Sequence, residues 1–132
     1  MSIVISNLSK NYGTQKAIDN ISFQVNDNEI VGFLGPNGAG KSTTMKIATG
    51  YISADSGTAT INGIIADTNS LDSKKQIGYL PESNPLYHEM YVREYLELIA
   101  GIHKISFNVK KRIEEVVDLT GLRLESKKKI GQ

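Results

Sequence analysis

A chain of 132 residues, 39% of them hydrophobic, is long enough for one domain with its own core. Its formal net charge of +1 singles out no polyanionic partner, and the lack of any cysteine excludes a disulfide scaffold and thiolate chemistry and fits a reducing compartment. No apolar run approaches the ~20 residues that cross a bilayer, and the first residues lack the basic and apolar segments of a secretion signal, so a soluble, cytoplasmic domain is expected.

In chain order, Ser2 to Leu8 alternates around Ile3, Ile5 and Leu8 and predicts a strand, followed by a turn at Ser9–Gly13. Ile21-Ser-Phe-Gln-Val25 has the period of a half-buried strand, and Asn26-Asp27-Asn28 ends it with turn residues. Ile30 to Leu34 is an unbroken apolar run, which predicts a strand covered on both faces. A helix is expected from Ser42 to about Thr49, closed by Gly50. After a turn at Asp55-Ser56-Gly57, Thr58 to Ile64 alternates β-branched residues as a strand does. Ser70 to Lys75 suits a short helix, and Gln76 to Leu80 a short strand ended by Pro81. Beyond it, Val92, Tyr95, Leu96 and Ile99 fall on one helical face that ends near Gly101. Val109, Ile113, Val116, Val117 and Thr120 mark a second amphipathic helix, with Ser106 as candidate N-cap and Gly121 as candidate C-cap. Lys127-Lys128-Lys129 reads as solvated surface.

The chemistry concentrates at Gly35-Pro-Asn-Gly-Ala-Gly-Lys41-Ser42-Thr43, which contains G-x-x-x-x-G-K-[ST] in full between a predicted strand and a predicted helix. That context suits the motif: glycines let successive N–H groups form a concave nest for phosphate oxygens. The following helix adds its unpaired N–H groups and the positive end of its dipole. Lys41 supplies a point charge for the β- and γ-phosphates, and the Ser42 hydroxyl is a ligand for Mg²⁺. The expected fold is α/β: a P-loop NTPase core with a parallel sheet and crossover helix, an antiparallel β subdomain, and the start of a helical subdomain.

These residues resemble the N-terminal half of an ATP-binding cassette (ABC) transporter ATPase of exporter type. The similarity rests on the phosphate loop Gly35–Thr43, on Leu8-Ser-Lys-Asn-Tyr12-Gly13 and Ala17-Ile-Asp-Asn-Ile-Ser-Phe23 upstream, and on Gly57-Thr-Ala-Thr-Ile-Asn-Gly63 and Ile77-Gly-Tyr-Leu-Pro-Glu82 downstream. The resemblance implies ATP and Mg²⁺ as ligands. Gly35, Pro36, Asn37, Gly38, Ala39, Gly40, Lys41, Ser42 and Thr43 would hold the phosphates, and Tyr12 would stack on adenine. Glu82 would stand at the Q-loop position, where the family usually has Gln; a carboxylate there can reach Mg²⁺ directly or through water. It also implies a nucleotide-binding part over residues 1–82 and a partial helical subdomain over 83–132. The implied partners are a membrane-spanning transporter subunit and a second ATPase subunit, in a homo- or heterodimer at the cytoplasmic face of the membrane. Leu86, Tyr87 and Met90 would be either a docking patch or core beneath the next helix.

The family's signature loop, its second apolar strand ending in Asp-Glu and its switch His have no counterpart in this sequence. Ile64-Ile-Ala-Asp67 only mimics such a strand, Asp118 falls on a predicted helix, and His88 and His103 read as surface residues. Phosphoryl transfer to water requires a group that orients the water, so the chain is expected to be a fragment of a longer ATPase, not competent in catalysis by itself and prone to self-association. A GTPase would require Asn-Lys-x-Asp, which is absent, although Asp118-Leu-Thr-Gly121 fits its other pattern. A phosphotransferase with the same loop fits the flanking strands less well. A cassette ATPase without a membrane partner, acting in translation or DNA repair, is the alternative reading. No basic stripe with interleaved aromatics points to nucleic acid.

Overall fold

The computed structural model describes residues 2–132 and divides the chain into two compact units, a first ending at Leu80 and a second spanning Pro81–Gln132. The first unit is built on a four-stranded antiparallel sheet in the order β2-β1-β3-β4, with β1 Ile3–Tyr12, β2 Gln15–Val25, β3 Ser56–Ile61 and β4 Ile64–Ile65. β1 runs past the expected turn at Ser9–Gly13: the chain reverses only at Gly13, and Tyr12 pairs with Gln15. β1 pairs on its other edge with β3, Ile5 opposite Ala59 and Ile3 opposite Ile61. The predicted strand Thr58–Ile64 is two strands, because Asn62 (φ 49°) and Gly63 (φ 78°) make a two-residue hairpin turn.

Helix α1, Lys41–Ala48, presents Thr44, Ile47 and Ala48 to the sheet. Its buried Ile47 and Ala48 join Ile5, Leu8, Ile18 and Ala59 in a single core. The spacing of these helical positions, i, i+3 and i+4, buries one stripe and leaves Met45 and Lys46 in solvent. Asp55 ties the segment after α1 back to β1: its carboxylate accepts from Lys10 Nζ at 2.8 Å and from the Asn11 backbone N–H at 2.7 Å. These two donors hold it below the ordinary aspartate value. Asp67 caps a turn of its own, accepting from the Asn69 N–H at 2.9 Å and from the Thr68 hydroxyl at 3.1 Å. Ser70 then starts α2, Leu71–Lys74.

Two expected strands do not form. Ile30–Leu34 and Gln76–Leu80 have no ladder partner among the described residues, so neither enters the sheet and no parallel pair is present there. The run at 30–34 is covered on one face only. Phe33 lies against Phe23, with ring centroids 5.2 Å apart, and Val31 lines an apolar cavity of about 220 Å³ with Ile3 and Val25. On its other face Ile30 and Leu34 are 103% and 91% exposed. An apolar run supplies the side chains of a buried strand, but its N–H and C=O groups enter a sheet only where a second strand offers complementary groups.

In the second unit, α3 Val92–Ile102 and α4 Val109–Leu119 bury Ala100, Ile113 and Val117. Arg93 bridges to Glu114 from one helix to the other, Nη2 donating to Oε2 at 3.0 Å. Asn108, with φ 52°, is the N-cap of α4 in place of Ser106, and Gly121 follows its last turn with φ 70°. The chain then folds back along the segment before α3, with the Val92 N–H donating to Lys128 O at 3.1 Å and the Ile130 N–H to Met90 O at 2.9 Å. Lys128 and Lys129 pair with Glu125 and Glu89. Leu86 lines an apolar cavity of about 470 Å³ with Tyr95, Val116 and Ile130, whereas Tyr87 is exposed.

Candidate phosphate-binding site

No side chain makes a capping hydrogen bond to α1, and Gly40, in the N-cap position, has φ 84°. A Cβ at Gly40 would lie 2.3 Å from the Ala17 carbonyl oxygen and 3.3 Å from Ile18 Cγ1. Only glycine fits, for two independent reasons: the left-handed backbone, and the close approach of β2. That contact joins the end of the loop to the start of the sheet.

Thr44 completes the anchor. It is buried, its N–H donates to Gly40 O at 2.8 Å, and its hydroxyl donates to the same oxygen at 2.9 Å. Sequence reasoning passed over this residue, although its place on the buried stripe with Ile47 and Ala48 was a usable signal. The two preceding hydroxyls behave differently. Those of Ser42 and Thr43 make no hydrogen bond among the described residues, which leaves two hard oxygen donors at the mouth of the helix.

The backbone donors repeat the pattern. Within the loop the Ala39 N–H donates to Pro36 O at 3.3 Å, and the first bond of the helix is that of Thr44. The N–H groups of Gly38, Gly40, Lys41, Ser42 and Thr43 have no acceptor among the described residues. A cluster of unpaired donors at a helix N-terminus, with no acidic residue in the first turn, is an arrangement of the polarity an anion requires. Lys41 lies over the loop itself, its Nζ donating to Gly35 O at 2.6 Å and to Pro36 O at 2.7 Å. Both acceptors are neutral carbonyls, so the ammonium has no anionic partner among the described residues.

Tyr12 is at the end of the β1–β2 hairpin, its ring half exposed and the Lys10 ammonium 6.0 Å from its centre. Register connects it to the loop: Tyr12 pairs with Gln15 and Asn11 with Lys16, immediately before Ala17, whose carbonyl abuts Gly40. Glu82 belongs to the second unit. It is exposed, and its carboxylate makes no hydrogen bond or ion pair among the described residues.

The family model described as ABC transporter matches residues 18–132, a span that includes the phosphate loop, the first unit from Ile18 onward and the whole second unit. The chain belongs to the ABC transporter family. Over its whole length it is 38% identical to the bacitracin transport ATP-binding protein BcrA of Bacillus licheniformis, of which it covers 43%. It is 35% identical to the linearmycin resistance ATP-binding protein LnrL of Bacillus subtilis, covering 94% of this chain and 40% of that protein. A solved structure of the ATP-binding subunit of an ABC transporter superposes with a TM-score of 0.71 at 33% identity, over 81% of this chain and 45% of that one. A putative ABC transporter ATP-binding protein from Pyrococcus furiosus superposes with a TM-score of 0.79 at 27% identity, over 99% and 62%. The expected α/β class of an ABC ATPase therefore holds, with its antiparallel sheet formed. The chain spans less than half the length of the curated relatives it matches.

Proposed function

We propose that this chain is the nucleotide-binding N-terminal part of an ABC transporter ATPase. The observation that carries the reading is the set of unpaired N–H donors at Gly38 and Gly40–Thr43, with the Lys41 ammonium bonded to the Gly35 and Pro36 carbonyls of the same loop. Gly35 to Thr43 wrap the phosphates, with Pro36, Asn37 and Ala39 shaping the turn that Ala39 N–H closes. Tyr12 stacks on adenine. The Ser42 hydroxyl, a hard oxygen donor, would hold Mg²⁺.

In the whole protein, ATP binding and hydrolysis would drive transport through a membrane-spanning subunit. A second ATPase subunit would complete the site, and the assembly would lie at the cytoplasmic face of the membrane. The exporter reading is supported by the names of relatives: a lipopolysaccharide export ATP-binding protein of Haemophilus influenzae is 39% identical over 79% of this chain. Among these residues, Lys41 would neutralise charge on the transferred phosphoryl group.

Titration calorimetry with ATP and with inorganic tripolyphosphate tests the assignment. Lys41→Ala should abolish measurable binding of both ligands; unchanged binding would remove the phosphate-loop assignment. Tyr12→Ala should weaken ATP by about 1–3 kcal/mol, the usual contribution of a base stacked on an aromatic ring, and leave tripolyphosphate unchanged. Equal losses for the two ligands would contradict stacking.

A further inference from the structure

The sequence contains two Asn-Gly dipeptides, Asn37-Gly38 in the phosphate loop and Asn62-Gly63 in the β3–β4 turn. We propose that Asn37, and not Asn62, is a site of spontaneous deamidation, and that its conversion inactivates the phosphate loop. Asn-Gly is chemically labile because glycine places no Cβ between its own nitrogen and the preceding side chain. Hydroxide removes the Gly38 amide proton. The nitrogen attacks Asn37 Cγ, the N–Cγ bond forms, the Cγ–Nδ2 bond breaks, and Nδ2 leaves as ammonia with a proton from solvent. Water then opens the five-membered imide at either carbonyl, giving aspartate or isoaspartate. No oxidant or reductant takes part.

Lability in a folded protein depends on whether the carboxamide is free to turn and the next nitrogen free to attack. At Asn62 the carboxamide is tied at both ends: Oδ1 accepts from the Ser2 N–H at 2.9 Å and Nδ2 donates to Gln76 Oε1 at 3.1 Å. A third bond, the Asn62 N–H to Ser2 O at 2.9 Å, fixes the backbone of the turn. Ring closure there requires both side-chain bonds to break. At Asn37 nothing comparable exists. Its exposed carboxamide makes no hydrogen bond among the described residues; the nitrogens of Gly38 and Gly63 are alike in having no acceptor and open space beside them, so the restraint on the asparagine itself makes the difference. The freedom that leaves the Gly38 N–H available to an anion also leaves it available as a nucleophile.

The product is wrong for the site in charge and in geometry. A carboxylate at position 37 puts a negative charge at the edge of a nest built for anions. Isoaspartate also lengthens the backbone by one carbon just where Gly38 and Gly40 hold left-handed conformations, φ 81° and 84°. This consequence rests on the nucleotide-binding reading, whereas the difference in reactivity between the two asparagines does not.

The test is peptide mapping by mass spectrometry after incubation of the chain at mildly alkaline pH and low salt. Conversion at Asn37 should outrun that at Asn62 by about tenfold or more, given two hydrogen bonds to be broken at the latter. In denaturant the two rates should converge, because the distinction comes from the fold. Equal rates in the folded chain, or a difference that persists on unfolding, would overturn the proposal. Tripolyphosphate binding should then fall in proportion to the converted fraction, and full affinity after complete conversion would overturn the inactivating role. Fresh protein that binds no tripolyphosphate would refute the nucleotide reading instead, leaving the mapping result to stand.

Discussion

β1 and the run Ile30–Leu34 differ in the opposite sense from their sequences. Ile30–Leu34 is the more apolar, yet it lies outside the sheet with Ile30 and Leu34 in solvent. β1 carries polar residues at Ser6, Asn7, Ser9 and Lys10, yet it is the central pair-maker, with β2 on one edge and β3 on the other. The difference shows that apolar content marks which face of a segment seeks cover, while hydrogen-bonding partners decide whether the segment becomes a strand. Phe33 against Phe23 shows the first requirement met without the second.

The largest expected effect comes from truncating β1 where it is most enclosed. Leu8 is fully buried. Leu8→Ala should destabilise the first unit by about 2–5 kcal/mol in urea unfolding. Ile30→Ala should stay within about 0.5 kcal/mol, as for other exposed sites. Comparable losses at the two positions would erase the contrast. Next in size is Gly40→Ala, which forces a Cβ into the Ala17 carbonyl and an unfavourable φ on the loop. Strain of about 1–3 kcal/mol is expected, together with loss of tripolyphosphate binding; a variant of wild-type stability and affinity would show that the loop is not anchored on β2.

The smallest effect concerns the Asp55 clamp on β1. The Lys10 hydrogen bond, then the Asn11 N–H, hold the Asp55 carboxyl below its ordinary value of 3.8. A depressed carboxyl contributes stability that is present above its unfolded value and is lost as pH falls through the folded one. The contribution should therefore be complete above about pH 5 and disappear below pH 3.8. Asp55→Asn should lower stability at neutral pH slightly and flatten the acid limb of the stability profile. An unchanged acid limb would show that the exposed clamp contributes nothing.

Much of the site was legible in the chain because its chemistry is written in consecutive residues. Glycine spacing, the lysine and the two hydroxyls occupy one turn of backbone, so Gly35–Thr43 could be read as a phosphate cradle before any packing was known. The helices α1, α3 and α4 were legible for a related reason: a helix satisfies its backbone groups within a single segment, so one apolar stripe suffices to announce it. By itself, then, the sequence determined the glycine loop ahead of α1, the helical segments and the family. The tertiary structure decided what depends on partners distant in the chain. It left Ile30–Leu34 and Gln76–Leu80 unpaired, extended β1 to Tyr12 and placed the Ala17 carbonyl against Gly40. It also tied Asn62 to Ser2 and Gln76 while leaving Asn37 free. Strand pairing and side-chain restraint are set by hydrogen-bond partners many residues away, and those partners are fixed only when the chain has folded.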